Sequence, residues 1–117
     1  MKTKVYEYAG CSTCRKALQW LDKKGVAYEK LPIVEQPPTR AELARMLSLI
    51  GDLKKLFNTS GLVYRELKVG EKLKTMTSDQ ALDLLAKHGK LIKRPFVLAG
   101  EKGLVGFKEA DWKDVFR

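Results

Sequence analysis

With 117 residues, the chain is long enough for one domain around one core, and a hydrophobic content of 44% excludes a disordered tract. It has no apolar run long enough to span a membrane and no secretory signal, because Lys4 and Glu7 break the only early apolar stretch, so the expected location is cytoplasmic. Lysine and arginine total 23 against 14 acidic residues, a formal net charge of +9 that suits anionic partners. The basic residues fall in short separated pairs such as Arg15-Lys16, Lys23-Lys24, Lys54-Lys55 and Lys93-Arg94, without interleaved aromatics, so direct nucleic-acid binding is not expected.

Taken in order, Lys2 to Tyr8 alternates as a strand does and ends in aromatics, and Gly10 allows a turn. Ser12 and Thr13 are good helix-entry residues. Cys14, Leu18 and Leu21 recur at helical spacing up to Lys24, and Gly25 ends the helix. Val26 to Leu31 reads as a second strand closed by Pro32, completing a β-α-β unit. After the break at Pro37-Pro38, Thr39-Arg40-Ala41-Glu42 has the form of a capping box. Leu43, Met46, Leu47 and Ile50 then share one helical face, and Gly51 is the stop.

Asp52 to Phe57 reads as a short helix, Asn58 to Gly61 as a turn and Leu62 to Leu67 as a further helical turn. A second helix start lies at Thr77-Ser78-Asp79-Gln80, with Ala81, Leu82, Leu84 and Leu85 inward and Gly89 as its stop. The segment from about 39 to 88 is thus an all-helical insertion between βα ends. His88, the only histidine, falls in the last turn of a helix, where a cation complements the dipole. Leu91 to Leu98 ends in a strand that follows Pro95. Ala99 to Gly103 is a hairpin loop, Leu104 to Phe107 its second strand, and Glu109 to Arg117 a last helix with Trp112, Val115 and Phe116 inward. The fold class is α/β, and the whole chain is expected to be a single domain.

Both cysteines lie at the start of the first helix, spaced Cys11-Ser12-Thr13-Cys14. Unpaired N–H groups and the positive end of the macrodipole stabilise an anion there. Cys11 is therefore expected to be the exposed nucleophilic sulfur, its pKa lowered further by Arg15 and Lys16. Cys14 is placed to attack a mixed disulfide on Cys11. The competing readings are two inert buried thiols, or a structural zinc site for which only His88 could join the cysteines. A zinc site normally needs four ligands, so no metal is expected.

Four stretches in order carry a family resemblance: Cys11-Ser12-Thr13-Cys14-Arg15-Lys16-Ala17, Leu56-Phe57-Asn58-Thr59-Ser60-Gly61, Tyr64-Arg65-Glu66-Leu67 and Lys93-Arg94-Pro95-Phe96. Together they resemble the arsenate reductase-like family that also contains the Spx regulators, from about Lys4 to the C-terminus. The resemblance implies a thioredoxin-like β-α-β … β-β-α sheet with a helical insertion. It makes Cys11 the nucleophile and Arg94 the holder of an oxyanion, and it implies a cis Pro95 beside Cys11. The further arginines of the reductases match Asn58 and either Phe107 or Lys108. Candidate substrate or oxyanion residues are therefore Ser12, Thr13, Arg15, Asn58, Arg94, Pro95 and Lys108, with Cys11 and Cys14 catalytic.

The implied activity is that of a thiol-disulfide oxidoreductase, with no bound cofactor and with glutathione, glutaredoxin or thioredoxin as reductant. The alternative is an Spx-like regulator that binds the RNA polymerase alpha subunit and uses the dithiol as a redox switch. A third reading keeps the fold and no activity. Monomer is the default state.

Overall fold

The structure, a computed structural model, describes residues 2–116. Its centre is a four-stranded sheet of order β2-β1-β3-β4. Strand β1 (Thr3–Glu7) runs parallel to β2 (Glu29–Pro32) and antiparallel to β3 (Phe96–Ala99), which turns back into β4 (Lys102–Val105). Because β1 and β3 are central, both of their faces are covered. Val5, Val97 and Ala99 point to one core, and Tyr6, Phe96 and Leu98 to the other, as period-two alternation requires.

The first core is closed by helix α1 (Ser12–Lys24) and helix α6 (Glu109–Val115), through Ala17, Leu21, Trp112 and Phe116. The second is closed by the expected insertion. It comprises α2 (Arg40–Ile50), a 3-10 turn over Leu53–Leu56, α3 (Leu62–Glu66), α4 (Val69–Lys72) and α5 (Ser78–Lys87). Leu43, Met46, Leu56, Leu82 and Leu85 form its buried side. The capping box expected at Thr39 forms, and the helix start expected at Thr77-Ser78-Asp79-Gln80 carries one too, whereas Ser12 and Thr13 do not cap α1. Thr39 with Glu42, and Thr77 with Gln80, make reciprocal capping boxes.

Several boundaries differ from the sequence reading. The second strand starts at Glu29 rather than Val26. Gly25 and Val26 donate their N–H groups to Asp22 and Leu21 at 3.1 Å each, so this backbone closes α1 instead of joining the ladder. Pro32 belongs to β2 rather than closing it, which an edge strand tolerates. The hairpin turn is only Gly100-Glu101, so β4 begins at Lys102 and stops at Val105. Gly106, at φ 71°, then turns the chain away before Phe107. Helix α4 was not expected; it starts after Lys68, whose φ is 53°. His88 lies just past α5 with its side chain exposed, and Gly89 opens a 3-10 turn over Gly89–Leu91 rather than serving as the stop. The Arg117 end of the last expected helix lies outside the described residues.

Candidate active site

The site forms where β1 ends, β3 begins and α1 starts. The chain leaves Glu7, and the Cys11 N–H donates to the Tyr8 carbonyl at 3.0 Å, closing a tight turn that aims the next residues into α1. Cys11, not Ser12 or Thr13, is the N-cap of the helix. Its backbone is extended (φ −94°, ψ 115°), and its sulfur accepts the Cys14 N–H at 3.3 Å. The nucleophile expected from the sequence is thus also the capping group. A sulfur that accepts an orphan helix N–H is stabilised as the anion.

The two thiols sit in opposite environments. Cys11 is partly exposed and Cys14 buried. Burial works against ionisation of Cys11, but the Cys14 N–H, the Cys14 thiol, the positive charge of Arg94 and the Thr13 N–H outweigh it and lower the pKa. Arg15 and Lys16, expected to supply that charge, are exposed on the helix and are not among the groups acting on the sulfur. At Cys14, burial is the dominant influence and pushes the thiol up to about 12. The neighbouring Cys11 and Glu7 add to this, and the Tyr8 backbone only partly opposes it. The surroundings therefore favour ionisation of Cys11 and oppose it at Cys14.

Arg94 is brought from the far end of the chain by the start of β3. The Arg94–Pro95 peptide bond is cis, as the resemblance implied, and the Pro95 carbonyl accepts the Gly106 N–H at 2.9 Å. The guanidinium lies over the Tyr8 ring, 4.5 Å from its centroid, and one Nη donates to the Lys90 carbonyl at 3.4 Å. Tyr8 was missed as a site residue. Only its place as the last aromatic before the cysteine loop hinted at it, and nothing local pairs it with a residue so distant in sequence.

The other expected residues are arranged less tightly. Ser12 and Thr13 are exposed in the first turn of α1. Asn58 is folded into its own turn. Its backbone N–H donates to Leu91 at 2.7 Å, and its side chain accepts from Ser60 at 3.5 Å and lies against Gly61. Of the two alternatives after β4, Phe107 packs edge-on against Trp112 and Trp20, with centroids at 5.0 and 6.3 Å. Lys108 is exposed at the N-cap of α6 and lines a cleft together with Lys93, not with Cys11. Thr13, Cys14 and Arg94 thus act on the Cys11 sulfur, while Arg15 and Lys108 are exposed and Asn58 is hydrogen-bonded within its own turn. Among the described residues no group of three His, Cys, Asp or Glu side chains could hold a metal ion, and no helix is long and apolar enough to cross a membrane.

A β-α-β and β-β-α sheet with a cysteine at the start of its first helix and a cis-proline just before the central strand β3 defines the thioredoxin-like class. Within it, the ArsC family model matches residues 6–115, and the chain belongs to the ArsC family. It is similar to the uncharacterized protein YusI of Bacillus subtilis (strain 168), at 49% identity over 97% of this chain and 98% of that protein. It is 32% identical to the global transcriptional regulator Spx 2 of Oceanobacillus iheyensis, over 88% of this chain and 76% of the regulator. Among solved structures, a possible arsenate reductase from Streptococcus mutans UA159 superposes with a TM-score of 0.87 at 38% identity, covering 95% of this chain and 97% of that one.

Proposed function

We propose that the chain is an arsenate reductase-like thiol-disulfide oxidoreductase that works through Cys11 and Cys14. The observation that carries this reading is the Cys11 sulfur itself: it caps α1, accepts the Cys14 N–H at 3.3 Å and feels the charge of Arg94. In the first step the Cys11 thiolate attacks one sulfur of a substrate disulfide. A mixed disulfide forms on Cys11, and the other half leaves as a thiolate. Cys14 then attacks the Cys11 sulfur, giving a Cys11–Cys14 disulfide and releasing the second substrate thiolate, which takes the Cys14 proton.

The raised pKa of Cys14 suits this order. Burial, the largest influence, remains, but the part that comes from Cys11 disappears once Cys11 is bonded and neutral. Two thiols from glutathione, or a glutaredoxin or thioredoxin dithiol, return the pair to the reduced state. An arsenate-like oxyanion would instead be attacked at arsenic, the Cys11–arsenic bond forming as one oxygen ligand leaves as water, with Arg94 as the planar donor to the remaining oxygens and with Ser12, Thr13, Arg15, Asn58, Pro95 and Lys108 as surrounding candidates. A monomer in the cytoplasm completes the reading.

Mass spectrometry after mild oxidant tests it. The wild-type chain is expected to lose two hydrogens through a Cys11–Cys14 bond, and Cys11→Ser to lose its rapid alkylation. No such bond, with thiol reactivity unchanged in Cys11→Ser, overturns the proposal. The similarity to the Spx 2 regulator favours a second reading, in which the same dithiol switches binding to the RNA polymerase alpha subunit. A pull-down with the C-terminal domain of that subunit, in reduced and oxidised buffer, separates the two. Binding in neither state removes the second reading.

A further inference from the structure

A cleft of about 500 Å³ opens along β4, lined neither by Cys11 nor by Arg94. The C-terminal end of α2 and the 3-10 turn after it form one wall, and the start of α6 forms the other. Leu49, Ile50, Phe57, Leu104, Val105 and Trp112 give it an apolar floor. Leu49 is 43% exposed there, one of two large hydrophobic side chains exposed among the described residues. Lys54, Lys55, Lys93 and Lys108 stand around this floor, and none of them forms an ion pair among the described residues. Asp52 and Asp111 also line the cleft, which leaves an excess of positive charge.

The backbone at this edge has open valences. Strand β4 is the last in the sheet. The Gly106 N–H donates inward to Pro95 at 2.9 Å, and Leu104 and Lys102 stand opposite Val97 and Ala99. Antiparallel alternation then directs the N–H and C=O groups of Gly103 and Val105 away from the sheet. The opposite edge, β2, carries Glu29, Lys30 and Pro32, which discourage strand addition. On β4 only Lys102 does so, and Gly103-Leu104-Val105 follows without charge or proline.

We infer that the β4 edge receives an extended, acidic peptide segment as an added strand. Its backbone pairs with Gly103 and Val105, alternate apolar side chains rest on the Leu49–Val105 floor, and its carboxylates meet the four lysines. The open strand suits an extended occupant, and the excess of lysine over Asp52 and Asp111 suits an acidic one. The inference goes beyond the thiol chemistry and does not depend on it.

A fluorescein-labelled acetyl-Glu-Val-Glu-Ile-Asp-Val-Glu-Leu-amide serves as probe, with binding to the full chain read by fluorescence anisotropy. Saturable binding is expected. N-methylation of alternate peptide bonds, which removes the pairing donors and keeps the charge, should weaken it by about tenfold or more, and Lys54→Glu with Lys55→Glu by about tenfold. Amide shifts of Gly103 and Val105 should move on binding, and Cys11→Ser should bind as the wild type does, so this result stands apart from the dithiol reading.

Equal affinity for the N-methylated peptide overturns the inference, as do shifts confined to another surface. Displacement of the peptide by inorganic phosphate at constant ionic strength would assign the lysines to a small anion. Concentration-dependent dimerisation with shifts at Gly103 and Val105 would assign the edge to a second copy of the chain. Either result also overturns it.

Discussion

At the scale of single residues, the site works by unequal treatment of two identical side chains. Cys11 keeps access to solvent and gains four stabilising influences, while Cys14 is sealed under the helix start. The alkylation rate of the wild-type chain is therefore expected to rise through an inflection below that of a free thiol, roughly 8.5. Arg94→Met removes the cation and should move that inflection upward. Tyr8→Leu removes the ring under the guanidinium and should move it by less, because the charge remains but loses its platform. An unchanged profile in Arg94→Met would show that the helix start alone sets the ionisation.

Glu42 is a second residue whose charge matters. Burial raises its pKa, but the Thr39 N–H, the Tyr6 hydroxyl (2.7 Å) and Lys4 (3.2 Å) outweigh this and hold it below the ordinary carboxylate value. Its folded value lies under its unfolded value of about 4.3, so its contribution is full above that pH and fades as pH falls through the folded value. Glu42→Gln is expected to cost about 1–2 kcal/mol at neutral pH. The difference between variant and wild type should shrink at pH values below about 4. Urea titrations at the two pH values measure this directly.

At the scale of elements, the structure shows which local signals sufficed. Thr39 with Glu42 and Thr77 with Gln80 were legible because a capping box is written within four consecutive residues. Gly25 and Gly51 were legible as helix ends, and both are left-handed, at φ 72° and 79°. The start of β2 was not, since Val26 and Tyr28 have strand-like side chains but the Val26 N–H is committed to closing α1. Cys11 as N-cap was also missed, because Ser12 and Thr13 are commoner capping residues and competed for the role. The partnership of Tyr8 with Arg94 joins residues remote in sequence and left no local trace.

Gly89 gives a test at this scale. A Cβ there would meet the Ile33 carbonyl oxygen and lie 3.0 Å from the Val34 Cα, so the 3-10 turn before β3 docks on the segment after β2 only without a side chain. Gly89→Ala is expected to destabilise the fold by about 1–3 kcal/mol. Chemical denaturation followed by tryptophan fluorescence reads the loss, and an unaltered midpoint would mean that the turn can shift without cost.

At the scale of the molecule, one sheet separates two cores with different duties. The α1 and α6 side is built around Trp112, whose indole N–H donates to the Gly106 carbonyl at 3.2 Å and whose ring meets Trp20, Phe107 and Phe116. That cluster fixes the loop after β4 beside the loop that carries Pro95. The insertion fills the other side, and Arg40 ties α2 to α5 through Asp79 and Asp83 at 3.0 and 2.7 Å. These exposed pairs set orientation more than stability. The insertion was foreseen as helical because its amphipathic runs are long. Its register on the sheet was not, because contacts such as Met46 and Leu49 against Gly103 have no signature in either segment alone.

The charge of the guanidinium stacked on Tyr8 favours an anionic Cys11 sulfur, and that anion can exist only while the sulfur is reduced. Joining the two sulfurs removes two electrons and the thiol proton, and the anion beside Arg94 ceases to exist. The oxidised chain is therefore one unit more cationic than the thiolate form, with the change concentrated at one spot on the surface. It is expected to elute later from a cation exchanger at a pH above the Cys11 value, and Arg94→Met should show the shift only at the higher pH where its own Cys11 ionises. Chemistry on the sulfurs would thus be announced to the surroundings as a change in the local electric field.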